Sequence, residues 1–494
     1  MSLRQRLAAP TGALPLDLFR VLVGLIAFGY CLRQLADVPV FFAPDGLVPH
    51  AETQALFPFV WQPLFPPDLG AGPASLLLGT GALLALAVTF GLRPRLAALA
   101  LYGIVVCAYR AQFLLLSVDD AMVHLLLLWV ALLPVGSTLT RSSWRGGLRP
   151  SFAAWREVRV PGATLRLLLA NLVLLYAVAG LSKWGSPLWR SGDALYATLR
   201  LPCSWVADSV GPDLVPLLRP LTWAALVLEP LFAVGLCLPP RGPLRAALVF
   251  GLALFHLGIA ATLDVPFANL GCLAALPLLF RRELGPSAPA TPPPSTRLAL
   301  SESFALLVVG LLFGAMACSL GSSAWRRPSL EGRSLSAPEV PGSTAESGGP
   351  VQTAFFGALW VLGLAQQYRL LDWIDERNFH VVTTFRVRSP GAPDEHLESA
   401  APTLPRGMRS SLLLSYVGGV TWMPVPDASR GALRDAIVAR IAARHCRLAG
   451  GAREVRLVAD YERVDPGRST PRAEVTLALF RCTATGQLAP PSSP

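Results

Sequence analysis

An all-α polytopic membrane bundle of about nine transmembrane helices, followed by a small α+β C-terminal domain, is the fold class this chain predicts. Three observations carry it. Of 494 residues, 53% are hydrophobic and 15% charged, with a mean hydropathy of +0.50; a soluble chain carries about a quarter charged residues. Apolar runs recur as far as residue 320, with arginines collected in the loops between them. Beyond residue 372 the pattern changes to the alternation of half-buried strands.

The runs that predict spans are Leu14–Leu35, Ala74–Phe90, Leu96–Leu116, Met122–Val135, Leu165–Leu181, Leu221–Leu238, Leu244–Thr262, Val265–Phe280 and Ala299–Leu320. Arg4 and Arg6 ahead of the first run resemble a signal peptide. That run is long, carries Arg20 and leads to no small-residue cleavage site, so it reads as an uncleaved span. Several runs are short for a hydrocarbon core about 30 Å thick, which requires local thinning or burial among neighbours.

Loop charge sets the orientation. Arg93 and Arg95, Arg141 to Arg159, Arg241 and Arg245, and Arg281 and Arg282 fall on the side of the N-terminus, whereas the loop Asp37 to Gly72 has no Lys or Arg. The N-terminus is therefore expected in the cytoplasm and the first loop outside, in the inner membrane of a bacterium, whose GC-rich coding the Arg, Ala and Pro content suits. The same rule accounts for the net charge of +11 without a nucleic-acid partner.

Residues 321–371 read as a flexible linker, rich in Ser, Pro and Gly, followed by an apolar segment, Val351 to Ala365, whose length favours lying in the interface over spanning. Residues 372–494 read as the α+β extramembrane domain, with strands at Val381–Val387, Glu454–Tyr461 and Glu474–Cys482 and a helix at Ser429–Arg444. Of eight cysteines, none forms a CxxC pair or a metal-ligand spacing; Cys446 and Cys482 can form a disulfide if the tail is outside the cell. No metal is expected.

One residue stands apart in composition. Of 42 basic side chains a single one, Lys183, is lysine. Arginine stays protonated in proteins, whereas a desolvated lysine can release its proton and act as a base. The plainer reading is a charge snorkelling from the end of a membrane helix. Ionisable groups inside spans are costly and mark functional candidates. Asp119, Asp120, His124, Lys183, His256 and Asn269 all fall in the outer half of the predicted bundle, with Asp264 at its rim. Each also has an ordinary reading: helix capping for Asp119 and Asp120, a satisfied interior histidine for His124. Arg20, Asn171 and Glu229 fall deeper, where an Arg20–Glu229 ion pair would satisfy both charges. No phosphate-cradling loop, HExxH or nucleophile elbow is present, which argues against ATP-driven transport and soluble-type hydrolysis.

Phe19-Arg20 and Gly24, Ser117-Val-Asp119-Asp120, Gly180-Leu-Ser-Lys183-Trp184 followed by Trp189, Gly192 and Ala194, then His256 and Asn269, together resemble the vitamin K-dependent gamma-carboxylase-like transmembrane (HTTM) domain family. The resemblance covers residues 10–320, so 1–320 reads as an HTTM-like domain. It implies that Lys183 is the base that deprotonates vitamin K hydroquinone or a similar quinol, and that His256 lines the quinol region. Asp119, Asp120, His124, Asn269 and Trp184 are the accompanying cofactor-binding candidates, with a peptide or lipid substrate at the outer face. Two departures stand out: Ser182 replaces a second lysine, and the tail is short. Gln366-Gln-Tyr-Arg-Leu-Leu371 partly matches a Gln-x-Trp-x-Met-Phe segment of bacterial members, which implies a tail outside. Two functions follow: a quinol-dependent or carboxylase-like (lyase) membrane enzyme, or a non-catalytic module for lipid or peptide handling or maturation in which Lys183 is structural.

Overall fold

A computed structural model describes residues 9–56, 63–66, 68–115, 117–141, 148–201, 203–238, 242–280, 300–323, 354, 358–359, 362–364, 379–388, 395–398, 403–405, 407–417, 427–463 and 473–489. Each apolar run of the first 323 residues is helical: α1 Ala13–Asp37, α2 Ala71–Phe90, α3 Pro94–Ala111, α4 Val118–Leu132, α5 Ala163–Lys183, α6 Val215–Cys237, α7 Pro243–Thr262, α8 Pro266–Ala274 continued by Leu276–Leu279, and α9 Leu300–Ser323. Among the described residues, six helical stretches are long and apolar enough to cross a membrane: Ala13–Phe42, Ala71–Phe90, Pro94–Ala111, Ala163–Lys183, Pro212–Cys237 and Pro243–Thr262. α4 has 15 residues and is buried on nearly every face, as a helix apolar all round must be when it sits at the centre of a bundle. On the outer helices large apolar side chains such as Leu76, Leu83, Leu96, Phe250 and Phe313 face outward, the surface expected against lipid.

Local chemistry places the helix ends. Proline at the first position opens α3, α7 and α8, where its fixed φ suits the helix and its missing N–H costs nothing. Gly91, at φ +72°, ends α2 and turns the chain directly into α3. α4 starts in a capping box in which Ser117 and Asp120 satisfy each other's end of the helix.

Two features fix the packing of the bundle. A Cβ on Gly180 would lie 2.5 Å from Pro230 Cδ, so glycine is what lets α5 and α6 approach at this level. At the N-terminal end of α1, the buried Arg20 pairs with Asp17 (3.0 Å) and donates to the carbonyls of Thr89 and Leu139 (2.8 Å each). Asp17 in turn accepts from the backbone N–H groups of Gly136 and Thr138 (2.6 Å each). Arg20 is thus saturated by Asp17 and by carbonyls left open at the end of α2 and after α4, and the expected Arg20–Glu229 pair is not formed. Asn171 instead accepts from Trp129 Nε1 at 3.2 Å.

The tail holds β1 Phe379–Arg388, β2 His396–Glu398, α10 Met408–Val417, α11 Asp427–Ala449, β3 Arg453–Arg463 and β4 Ala473–Cys482. The strands form an antiparallel sheet in the order β2-β1-β3-β4. All three expected strands and the expected helix are present. α11 buries Leu433, Ile437, Ile441 and Cys446, an apolar stripe at helical spacing, and Cys446 is disulfide-bonded to Cys482 on β4. The apolar core of this unit is continuous with Val38, Phe41, Phe42, Leu47 and Val48 in the loop after α1. Arg440 extends the contact by donating to the carbonyls of Pro44 and Gly46 (2.6 and 3.1 Å).

The expected linker and the Gln366–Leu371 segment lie outside the described residues. Of the apolar segment Val351–Ala365, the described part turns at Gly363 (φ +64°) inside the bundle, where Leu359 and Leu364 are buried. Tyr102 donates its hydroxyl to the Leu362 carbonyl.

Candidate functional site

Lys183 is the last residue of α5 and is 1% exposed. Because Cα–Cβ bonds in a helix lean toward its N-terminus, the side chain turns back into the bundle. Its amine donates to the Ala179 carbonyl one turn earlier (3.3 Å) and to the carboxylate of Glu229 on α6, and lies 5.2 Å from the centre of the Trp189 ring. Trp189 belongs to the short helix Pro187–Ser191, whose start is capped by the Ser186 side chain. Trp189 is buried, whereas Trp184, the residue expected at the cofactor, is 47% exposed. The indole over the amine is therefore Trp189.

Tyr176 lies on the same face of α5, seven residues before Lys183 and four before Gly180. Its hydroxyl is 2.8 Å from Nε2 of His256 on α7. His256 Nδ1 is 2.8 Å from Asn269 Oδ1 on α8, and Asn269 Nδ2 donates to the Val265 carbonyl (2.7 Å). The bond to Val265 fixes which end of the amide faces the histidine, so Nδ1 carries the proton and Nε2 accepts from Tyr176. Cys272 of α8 is within side-chain hydrogen-bond reach of both Tyr176 and His256, and Glu229 is within electrostatic reach of all three. Phe232 and Phe255 wall this group with ring edges, at centroid distances of 5.9 Å to Tyr176 and 5.3 Å to His256.

The other expected site residues gather at a second place. Asp119 accepts from Ala268 N–H at the start of α8 (2.7 Å). Asp120 accepts from the Tyr30 hydroxyl (2.5 Å) and from Ser117 and pairs with Arg409 of α10 (3.2 Å). His124 contacts the Gly363 carbonyl through Nδ1 (2.8 Å), with Tyr109 edge-on at 5.0 Å. Asp264 is held bidentately by Arg33 (2.6 and 2.7 Å). Neither Asp119 nor Asp120 is the ion-pair partner of Lys183.

Of the residues expected to share one outer site, His256 and Asn269 are in direct contact, Lys183 pairs with Glu229, and Asp119, Asp120 and His124 lie apart from them. Glu229 meets Lys183 and Tyr176 meets His256 without either having been singled out for the site. The spacing Tyr176, Gly180, Lys183 on one helix face is the signal that points to Tyr176. Among the described residues, no group of three or more His, Cys, Asp or Glu side chains is arranged to hold a metal ion. The chain matches no family model, no curated protein and no solved structure.

Proposed function

We propose that the chain is an integral membrane protein, with about nine helices embedded in the bilayer, in which Lys183 is a general base toward a quinol or another proton donor from the lipid phase. The observation that carries the reading is the buried pair of Lys183 with Glu229 under Trp189, extended by Tyr176, His256 and Asn269. The pair offers two sites for one proton. As a general base, Lys183 would take the quinol proton at Nζ, beside the Glu229 carboxylate. The residues suit a quinol: an amine and a carboxylate to exchange a proton, and aromatic faces at Trp189, Phe232 and Phe255. A bound quinol would supply an acidic hydroxyl and a reducing ring. His256, with both ring nitrogens occupied, acts as a positioning residue that orients the Tyr176 hydroxyl. Similarity to the gamma-carboxylase-like membrane domain suggests a peptide or lipid substrate.

The arginine-free loop Asp37 to Gly72, the Cys446–Cys482 disulfide and the packing of the tail on that loop together support an outer location for the tail, opposite the arginine-bearing loops and the N-terminus. A non-catalytic module for lipid or peptide handling is the second reading; the complete pairing of Lys183 is what a structural ion pair would also show.

The test is organic extraction of the purified chain for retained quinone, in the native form and as Lys183→Arg. The base reading expects quinone in both and loss of quinol turnover in the arginine variant, which keeps the charge and removes the titratable amine. Full turnover by a folded Lys183→Arg chain would overturn it.

A further inference from the structure

At the end of the bundle where α4 and α8 begin lies a cavity of about 20 Å³, walled in part by Gln34, Asp119, Asp120, Asp264 and Arg409. It has room for about one water molecule. Arg33 is engaged by Asp264 and is within electrostatic reach of Asp119, which leaves Asp120 to be balanced from elsewhere. The balancing charge comes from the tail. Arg409 donates to Gln112 Oε1 (2.9 Å), pairs with Asp120 (3.2 Å) and approaches Asp37 (3.7 Å). The Gln34 side-chain oxygen beside it is buried and has no hydrogen-bond partner among the described residues.

The preceding residue reinforces the contact. Met408 N–H donates to Asp264 Oδ2 (2.7 Å), and a Cβ at Gly407, whose φ is +142°, would stand 2.6 Å from that oxygen. Only glycine permits this approach. The Met408 side chain packs on the apolar cluster that contains Trp189, Leu263 and Val265, and Trp189 is the ring that covers the Lys183 amine. The socket and the buried cluster are also joined through α8: Asp119 holds Ala268 N–H, and the next residue, Asn269, holds His256.

We propose that Met408 and Arg409 form a latch by which the tail closes this end of the bundle over Lys183, so that access to the amine from the aqueous side requires release of Arg409 from Asp120 and Gln112. The latch rests on Lys183 being the working group of the site. Release is local: the apolar core that joins the tail to the loop after α1 stays intact while the first turn of α10 lifts. Arg409 is held by a few polar contacts rather than by deep apolar packing, which is the composition expected of a segment that opens.

Because the chain has one lysine, a chemical probe reads the latch directly. The full chain in lipid nanodiscs is treated with a sulfonated N-hydroxysuccinimide acetate at fixed pH, and acetylation of the Lys183 peptide is followed by mass spectrometry. Arg409→Gln is expected to raise the rate about tenfold, equivalent to about 1.4 kcal/mol of closure. Gln112→Ala, which removes one contact of Arg409, is expected to raise it less. Arg447→Gln breaks only the rim contact with Asp45 and should leave the rate unchanged. Equal rates in the native, Arg409→Gln and Gln112→Ala chains overturn the latch; if Arg409→Gln fails to fold, Gln112→Ala decides alone. The labelling reads access rather than catalysis, so an accelerated rate in a chain whose Lys183→Arg form keeps full turnover would sink the base reading and leave the latch standing.

Discussion

Lys183 and Glu229 illustrate how residue-scale chemistry can be half visible in a sequence. The lysine declares itself because every other basic side chain is arginine. Its partner does not, for two geometric reasons. α6 begins at Val215, ahead of its apolar run, and the Lys183 side chain turns back by a helical turn, so depths counted along apolar runs separate two groups that in fact touch. The pairing predicts a non-additive pattern. Removing either partner, as Lys183→Met or Glu229→Leu, leaves one charge buried alone and should cost about 3–5 kcal/mol, whereas the double variant should cost less than either single change. Thermal unfolding of all four chains in one detergent measures this; additive losses would mean that the two side chains do not depend on each other.

At the scale of elements, helices were read well because hydrophobic length and proline starts are local signals: α3, α7 and α8 each begin on the proline that precedes its apolar run. The tail strands were equally legible from their alternation. What the alternation did not show is that α10 exists and reaches the bundle, since Met408 and Arg409 carry no periodic mark of a docking role. Within the tail, His445 on α11 stacks on Phe385 (4.0 Å) and lies 3.7 Å from Glu398. Burial pushes its imidazole below the ordinary value of 6.5, against the opposing pull of Glu398. His50, in the loop after α1, is shifted the same way by burial. Unfolding lets both groups bind protons more readily, so they are neutral in the fold above 6.5 and stability is full there. As pH falls below 6.5 the unfolded chain gains protons first and stability drops, until the folded values are passed. Urea unfolding of the tail followed at about pH 8, 6 and 5 should show this decline, and His445→Gln should flatten it. A tail that is more stable at the lowest pH would contradict the shift.

Over the whole molecule, costly polar groups collect at both ends of an apolar bundle: Arg20 and Asp17 are paired at one, and Asp120 and Asp264 are met by the tail at the other. Its sheet-and-helix unit shares a core with the loop after α1, inserts Arg409 beside Asp120, and packs Met408 against the cluster that contains Trp189. Composition changes between bundle and tail, but contacts between distant parts of the chain leave no local pattern, so the packing of Met408 and Arg409 on the bundle is not legible in the sequence. The solitary lysine that opens the functional argument also supplies its sharpest measurement. A chain labelled with ¹³C,¹⁵N-lysine gives a single ε-methylene resonance, which can be followed in nanodiscs across roughly pH 6–10 with and without 2-methyl-1,4-naphthohydroquinone. If Lys183 takes a proton from a quinol, that resonance shifts on addition of the hydroquinone, and the shift is lost in Glu229→Gln. A resonance that stays at one position with pH and with hydroquinone would identify a permanently charged structural pair and contradict the base reading.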